Sequence, residues 1–321
     1  MVAVHNRLAF LKGALESAVN QTKRVRVVLL DNGKADPRAI EEIRGPMGAA
    51  VEYHRNSKPL PQFRTMNRAI ELCRTPWLSI LHDDDELLPG FVEALTAAAP
   101  QVEDCRLFCG GTIFIDTAGR YFFRTGLQES ERVRVLSGED FAYRNWFSFP
   151  GHLMHVETAR AVGGFPVNSI YTGDWDLWFR MAQAGGAAML GANLSRYRCH
   201  TGIDRETNAA GRSGRTSACR AMQVKRNLGR LRKAGAPARF ERSLFITHNC
   251  PTYRETLSYA PYMGDWLLSY CRRLLLLRKP ASGLQAFQAA VLRAFGNPGA
   301  RLAGHAVLVA ERWGVRFRNP L

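Results

Sequence analysis

The chain has 321 residues, 46% of them hydrophobic and 22% charged, a balance that suits one large globular domain or one domain plus an appendage and excludes a disordered or fibrous chain. Its strongest apolar run, Leu274 to Leu277, is closed in by Arg272, Arg273, Arg278 and Lys279, far short of the ~18 consecutive apolar residues of a membrane span. Residues 1 to 200 hold 23 Lys and Arg against 22 Asp and Glu, residues 201 to 321 hold 21 against 6, and the net charge of +16 is therefore almost wholly C-terminal. Such a surface suits nucleic acid, an anionic bilayer or a phosphorylated ligand, and charge alone does not choose among them.

The first residues, Met1 to Arg7, lack the basic start, long apolar stretch and cleavage site of a secretory signal, so the expected location is the cytoplasm. Seven cysteines, scattered and without a CxxC pair, fit buried reduced thiols better than a disulfide framework or a zinc site.

Taken in chain order, short apolar runs alternate with helical patterns, as in an α/β fold. Val2 to Val4 reads as a strand end, and Phe10, Leu11, Ala14, Leu15, Ala18 and Val19 share one helical face. Val25 to Leu30 is a strand that stops at the turn Asp31-Asn32-Gly33, and Val51 to Tyr53 is a third. Phe63, Met66, Ile70 and Cys73 recur at helical spacing. Trp77 to Leu81 is a fourth strand that runs into His82-Asp83-Asp84-Asp85-Glu86, after which Pro89 opens a helix. Leu107 to Ile115 and Tyr121 to Phe123, joined at Gly119, form a hairpin that makes the sheet mixed. Gly163-Gly164-Phe165 is a turn, Asp174 to Ala184 a helix, and Ser195 to Cys199 a last strand ending at His200. Residues 211 to 215 form a polar loop, Ser217 to Lys233 a basic helix, and residues 263 to 321 two or three further helical stretches.

Three adjacent carboxylates, Asp83, Asp84 and Asp85, repel one another unless a cation or water screens them. An exposed acidic loop and a divalent-cation site are both open readings of the triplet. Its place at a strand's carboxyl end, where open α/β sheets bind ligands, suits Mg²⁺ or Mn²⁺ held against a diphosphate. Asp31 also ends a strand, either as an Asx turn with Asn32-Gly33 or as a ligand contact. Asp174 starts a helix, where it is a cap or a proton acceptor, and Asp176 has Arg180 one turn on as an ion-pair partner.

In order along the chain, Val4-His5-Asn6-Arg7, Leu29-Leu30-Asp31-Asn32-Gly33, Asn67 within Phe63 to Ile70, Leu81 to Phe91, Gly163-Gly164-Phe165, Asp174 to Arg180 and Tyr197-Arg198-Cys199-His200 resemble a family 2 glycosyltransferase of the GT-A fold. The resemblance covers residues 2 to about 202. It implies a Rossmann-like mixed, mostly parallel sheet flanked by helices, with a basic helical C-terminal extension. It also implies an inverting enzyme that moves a sugar from a nucleotide diphosphate sugar to a hydroxyl.

The implied roles go residue by residue. Asp31 meets the nucleotide base, and Asp83 is a ribose or metal contact. Asp84 is the direct metal ligand, with Asp85 and His200 as its companions, and His82 stands where the family pattern has its first aspartate. Asp174 is the catalytic base. Asn6, Arg7, Asn67 and Arg205 complete the donor side, while His152, Trp175 and Asp176 are the candidates for the acceptor side. The implied cofactor is Mn²⁺ or Mg²⁺. A retaining glycosidase would instead need two carboxylates ~5 Å apart across the bond.

The expected division is a catalytic domain over 1–202, with a nucleotide part at about 1–90 and an acceptor part at about 105–202. A basic loop and helix over 203–262 and a helical extension over 263–321 follow. Arg205, Arg212 and Arg215 read either as a lid over a diphosphate or as a solvated loop, and Trp266 to Lys279 either as an interfacial helix on an anionic membrane or as packing. A saccharide or polyprenyl-linked acceptor, as in bacterial surface polysaccharide synthesis, gives that basic surface a purpose and puts the enzyme peripherally on the inner face of the cytoplasmic membrane. Two other functions compete: an inactive sugar-nucleotide binder, and a nucleic-acid-binding protein, which an acidic cleft and the lack of interleaved aromatics disfavour.

Overall fold

The computed structural model of the chain describes residues 1–127, 131–142, 144–169, 171–200 and 215–235. The chain divides into two compact units, residues 1–141 with 145–202 and residues 142–144 with 203–321.

In the first unit, β1 (Val2–Val4), α1 (Leu8–Val19), β2 (Val27–Asp31), α2 (Pro37–Arg44), β3 (Val51–Arg55) and α3 (Gln62–Leu72) follow in turn. Short strands β4 (Trp77–Leu78), β5 (Leu81–His82) and β6 (Glu86–Leu87) come next, then α4 (Phe91–Ala98). Strands β3, β2, β1 and β5 lie side by side in that order, all parallel. Every residue of β1 and β2 is buried, as expected where both faces of a parallel sheet are covered. Helix α1 supplies part of that cover through Leu11, Ala14, Leu15 and Ala18, one helical face packed into the cluster that holds Val2, Val4, Val27 and Leu29.

The second sheet is built from β7 (Leu107–Ile115), β8 (Tyr121–Thr125), β9 (Val133–Leu136), β10 (His152–His155) and β11 (Ala187–Arg198), with α5 (Val156–Ala161) and α6 (Gly173–Gly185) between the last two strands. Its order is β4-β10-β7-β11-β6, with β8 on β7 and β9 on β11. Strands β7 and β11 run parallel and the other pairs antiparallel. The expected parallel character thus belongs to the first sheet, and the second is mixed.

The strand expected over Trp77 to Leu81 breaks at Ser79-Ile80, with β4 joining the second sheet and β5 the first. The Met1 ammonium donates to the Ser79 carbonyl at 2.7 Å, and the Ile80 N–H is taken by His152 at 3.3 Å, so the backbone groups freed by the break are satisfied.

Register in the first sheet places the functional edge. Val4 pairs with Asp31, Asp31 with Arg55, and Ala3 with His82. The carboxyl ends of all four strands therefore finish level, which is where ligands meet open α/β sheets. A 350 Å³ apolar cavity lined by Val27, Trp77 and Phe91 has no carboxylate in its walls.

In the second unit, α7 (Arg215–Lys233) is the helix expected over 217–233, and Gln223 donates to Asn227 within it at 2.8 Å. Arg205, Arg212, the segment 266–279 and the extension 263–321 lie outside the described residues. Among those described, no helix is long and apolar enough to cross a membrane.

Candidate active site

The acidic turn after β5 is buried and individually partnered. Asp83, Asp84 and Asp85 are each 5% exposed or less. Asp83 Oδ2 accepts the His5 N–H at 3.1 Å, so the end of β1 is tied to the turn. Asp84 Oδ2 accepts from the Arg7 guanidinium and from His200 Nε2, the latter at 2.8 Å. Asp85 Oδ1 accepts the Arg198 N–H at 2.9 Å. Arg198 itself clamps the turn, donating to the Asp84 carbonyl at 3.0 Å, the Asp116 carbonyl at 3.2 Å and Glu86 at 2.6 Å, with its guanidinium 4.7 Å from the Phe10 ring centre.

The charges are arranged unevenly. Burial raises the Asp83 carboxyl and, with Asp84 beside it, the Asp85 carboxyl. Burial also opposes ionisation of Asp84, but the charges of His82 and Arg7 and the His200 bond outweigh it and hold Asp84 below its ordinary value. His82 is raised because Asp85, Asp84 and Asp83 overcome its burial. Its ring lies flat on Phe149, 4.2 Å centre to centre and 4° from parallel.

His82, Asp84 and Asp85 each offer a donor atom within 4.8 Å of the other two. Asp85 Oδ2 and His82 Nε2 are buried without a hydrogen-bond partner. Unsatisfied donors to a cation in a carboxylate and imidazole set fit a divalent ion such as Mn²⁺ or Mg²⁺.

Asp31 is fully buried. Its Oδ1 accepts the Gly33 N–H at 2.7 Å, and its Oδ2 accepts from Tyr53 Oη at 2.7 Å and from Arg55. Tyr53 and Arg55 are two apart on β3 and so share a face. Arg55 remains 32% exposed at its side chain and lines a 380 Å³ polar hollow with His54, Asn56, Lys58 and Arg68. Arg55 is thus the solvent-facing member of the pair and Asp31 the buried one.

Asp174 sits in the first turn of α6. Its Oδ1 accepts the Trp175 N–H at 2.7 Å and its Oδ2 the Asn145 amide at 3.2 Å. Burial raises its pKa, and the Trp175 N–H, Asn145 and the charge of His82 pull it part of the way back. Asp174 belongs to the same compact unit as the acidic turn. An aromatic series connects the two: Phe63 packs on Gly173 and stacks on Phe165, which meets Phe149 beneath His82.

The other expected site residues are engaged within the fold. Asn67 binds the Phe165 backbone through both amide atoms, at 2.7 and 2.9 Å, and fixes the glycine turn. His152 is fully buried, with Nδ1 2.5 Å from the Phe149 carbonyl and its pKa pushed down to about 4 by burial. Trp175 is 2% exposed and donates to the Phe141 carbonyl at 2.6 Å. Asp176 is buried and pairs with Arg180 at 2.6 Å, and Arg180 in turn holds the Gly164 carbonyl at 2.6 Å. All three acceptor-side candidates are buried, each 2% exposed or less. Asn6 and Arg7 are exposed at the end of β1. Sequence reasoning missed Arg55, Tyr53, Asn145 and Arg198 because each acts across a strand or loop far from its partner in sequence.

A parallel sheet with an acidic turn on its edge strand, continued into a mixed sheet that carries the helix-start aspartate, is the GT-A architecture, and it recurs in solved structures. The S. aureus TarS fragment 1-349 in complex with UDP-GlcNAc has a TM-score of 0.58 and 13% identity, over 99% of this chain and 92% of that one. The same fragment with UDP gives 0.57, and S. aureus TarS gives 0.58 at 12% identity, over 99% of this chain and 56% of that one. No curated protein matches the chain in sequence. Residues 1–154 match the glycosyl transferase family 2 model, and this part of the chain is a family 2 glycosyltransferase domain.

Proposed function

We propose that the chain is an inverting glycosyltransferase that moves a sugar from a nucleotide diphosphate sugar to a hydroxyl of a saccharide or lipid-linked saccharide, with a divalent cation at the acidic turn and Asp174 as the base. The carrying observation is that turn together with a half-buried carboxylate of raised pKa at the start of α6, on a family 2 domain. The solved TarS structures carry UDP-GlcNAc and UDP, which makes UDP-sugars the first donors to try.

The reaction is a single displacement at the anomeric carbon. The acceptor oxygen attacks, the bond from the anomeric carbon to the diphosphate oxygen breaks, and the acceptor proton passes to Asp174. Burial favours this role, since a base with a raised pKa is the stronger proton acceptor. Asn145 and the Trp175 N–H orient the carboxylate. When bound at Asp84, Asp85 and their histidine neighbours, a divalent cation supplies charge neutralisation on the departing diphosphate. Arg7, half exposed against Asp84, adds a guanidinium at the same end, where bidentate phosphate contacts are strong. Arg55 presents the nucleotide contact, with Asp31 as its buried anchor.

The catalytic limit near residue 202 and a basic extension held against an anionic inner membrane surface belong to the same proposal, because a polyprenyl-linked acceptor resides there. The direct test is calorimetry with a panel of UDP-sugars, with Mn²⁺ or with chelator. Binding that needs the cation and is lost in Asp84→Ala supports the reading. Undiminished binding in chelator removes the metal, and no binding of any nucleotide removes the donor.

A further inference from the structure

His82 is the member of the acidic turn that departs from the family pattern, and both its nitrogens are placed unusually. The ring is held by stacking on Phe149, 4.2 Å away and nearly parallel, which fixes its plane without engaging either nitrogen. Nδ1 lies 3.7 Å from Asp85 Oδ2, too far for a hydrogen bond. Two donors each about 2.1 Å from one shared ion can lie up to ~4.2 Å apart. Asp85 is 1% exposed, its Oδ1 is taken by the Arg198 N–H, and its Oδ2 has no hydrogen-bond partner. His82 Nε2 is likewise buried and unpartnered. Asp84 completes a set whose donor atoms lie within 4.8 Å of one another.

His200, the histidine that the family resemblance assigns to the metal, is placed differently. Its Nε2 is spent on Asp84 Oδ2 at 2.8 Å, so it reaches the turn as a hydrogen-bond donor to a ligand carboxylate. That is the position from which outer residues orient a metal ligand.

We propose that His82 is itself a metal ligand, binding through an imidazole nitrogen beside Asp84 and Asp85, and that this nitrogen biases the site toward Mn²⁺ and Co²⁺ over Mg²⁺. The inference rests on the metal-dependent reading above. The bias follows from donor chemistry. Imidazole suits the later first-row ions, whereas Mg²⁺ prefers oxygen ligands and gives up water reluctantly.

The test uses the full chain loaded with Mn²⁺, with affinity read by calorimetry and ligation by pulsed electron paramagnetic resonance, which detects nitrogen bound to manganese. The wild type is expected to show nitrogen coupling, and His200→Gln to keep it. His82→Ala should lose it and bind Mn²⁺ at least about tenfold more weakly, since even outer-shell partners are worth about 10 to 100-fold in affinity. Mg²⁺ affinity should change less. His82→Phe, which keeps a ring on Phe149, gives the same readout if the alanine variant does not fold. Nitrogen coupling that survives in the His82 variants and vanishes in His200→Gln overturns the proposal, as does Mn²⁺ bound with no nitrogen at all. A wild type that binds no Mn²⁺ with or without nucleotide removes the metal reading beneath it, an outcome distinct from the other two.

Discussion

Replacing Asp174 with asparagine probes the proposed chemistry with little disturbance of shape. The side-chain oxygen of the introduced amide can keep the Trp175 N–H, now 2.7 Å from Oδ1. The new amide nitrogen, however, would face the Asn145 amide, now 3.2 Å from Oδ2, donor against donor. Asn145 can turn over, at the expense of the 3.3 Å bond that it accepts from the Phe147 N–H, a loss of about 1 kcal/mol. An opposing gain comes from removing a half-buried carboxylate. Its folded pKa is raised, so its contribution to stability is complete below the unfolded value and is lost as pH rises through the folded one. At neutral pH the two effects offset, and the melting temperature should stay near that of the wild type. Turnover should not: a general base is worth about 10² to 10⁴-fold, or about 3 to 5 kcal/mol of barrier. Steady-state transfer across a pH series is the assay. The wild-type rate should fall on the acid side as Asp174 is protonated, and that limb should be missing from the residual rate of the variant. A loss smaller than about tenfold, or an unchanged acid limb, would refute the assignment of the base.

Other residues carry separate expectations. His152 has a folded pKa of about 4 against an ordinary 6.5, so stability should fall by about 3 kcal/mol as pH drops from 6.5 to 4, and His152→Gln should flatten that loss in urea unfolding curves. Arg198→Met leaves the Asp84 and Asp116 carbonyls without their donor and Glu86 without its buried partner; chemical denaturation should show a loss of about 3 kcal/mol, and a loss under about 1 would deny that Arg198 clamps the turn. Asn67→Ala removes two bonds to Phe165 and should cost about 2 kcal/mol of stability while leaving nucleotide affinity within about twofold; a large loss of affinity with stability intact would restore Asn67 to the donor side.

Much of the fold was legible where burial imposed a clear period. The faces of α1 and α3 and the runs that became β2 and β7 are written in apolar spacing. The short elements α2, β9, β10 and α5 were not. Only Ile40 of α2 is buried, and β10 contains His152 and His155, so neither pattern shows a period. The break at Ser79-Ile80 was hidden because both halves of the run are apolar, although they serve different sheets.

For the site, the sequence pointed to residues that end strands, Asp31 and Asp83 to Asp85, because topology makes those positions functional. It could not separate lining from frame. Asp176 and Trp175 stand in the same motif as Asp174, yet helical rotation sends them into the core while Asp174 stays half buried at the helix start. Arg55 became visible only through the parallel register that sets it opposite Asp31.

The most direct measurement is time-resolved proton NMR of an α-linked UDP-sugar incubated with the protein and Mn²⁺, with water or an added saccharide as acceptor. The single displacement assigned to Asp174 predicts that the first sugar released or transferred has the β configuration, with UDP formed in equal amount and both products formed at least about a hundredfold more slowly by Asp174→Asn. Release of the α anomer first, or equal consumption by the variant, would contradict it.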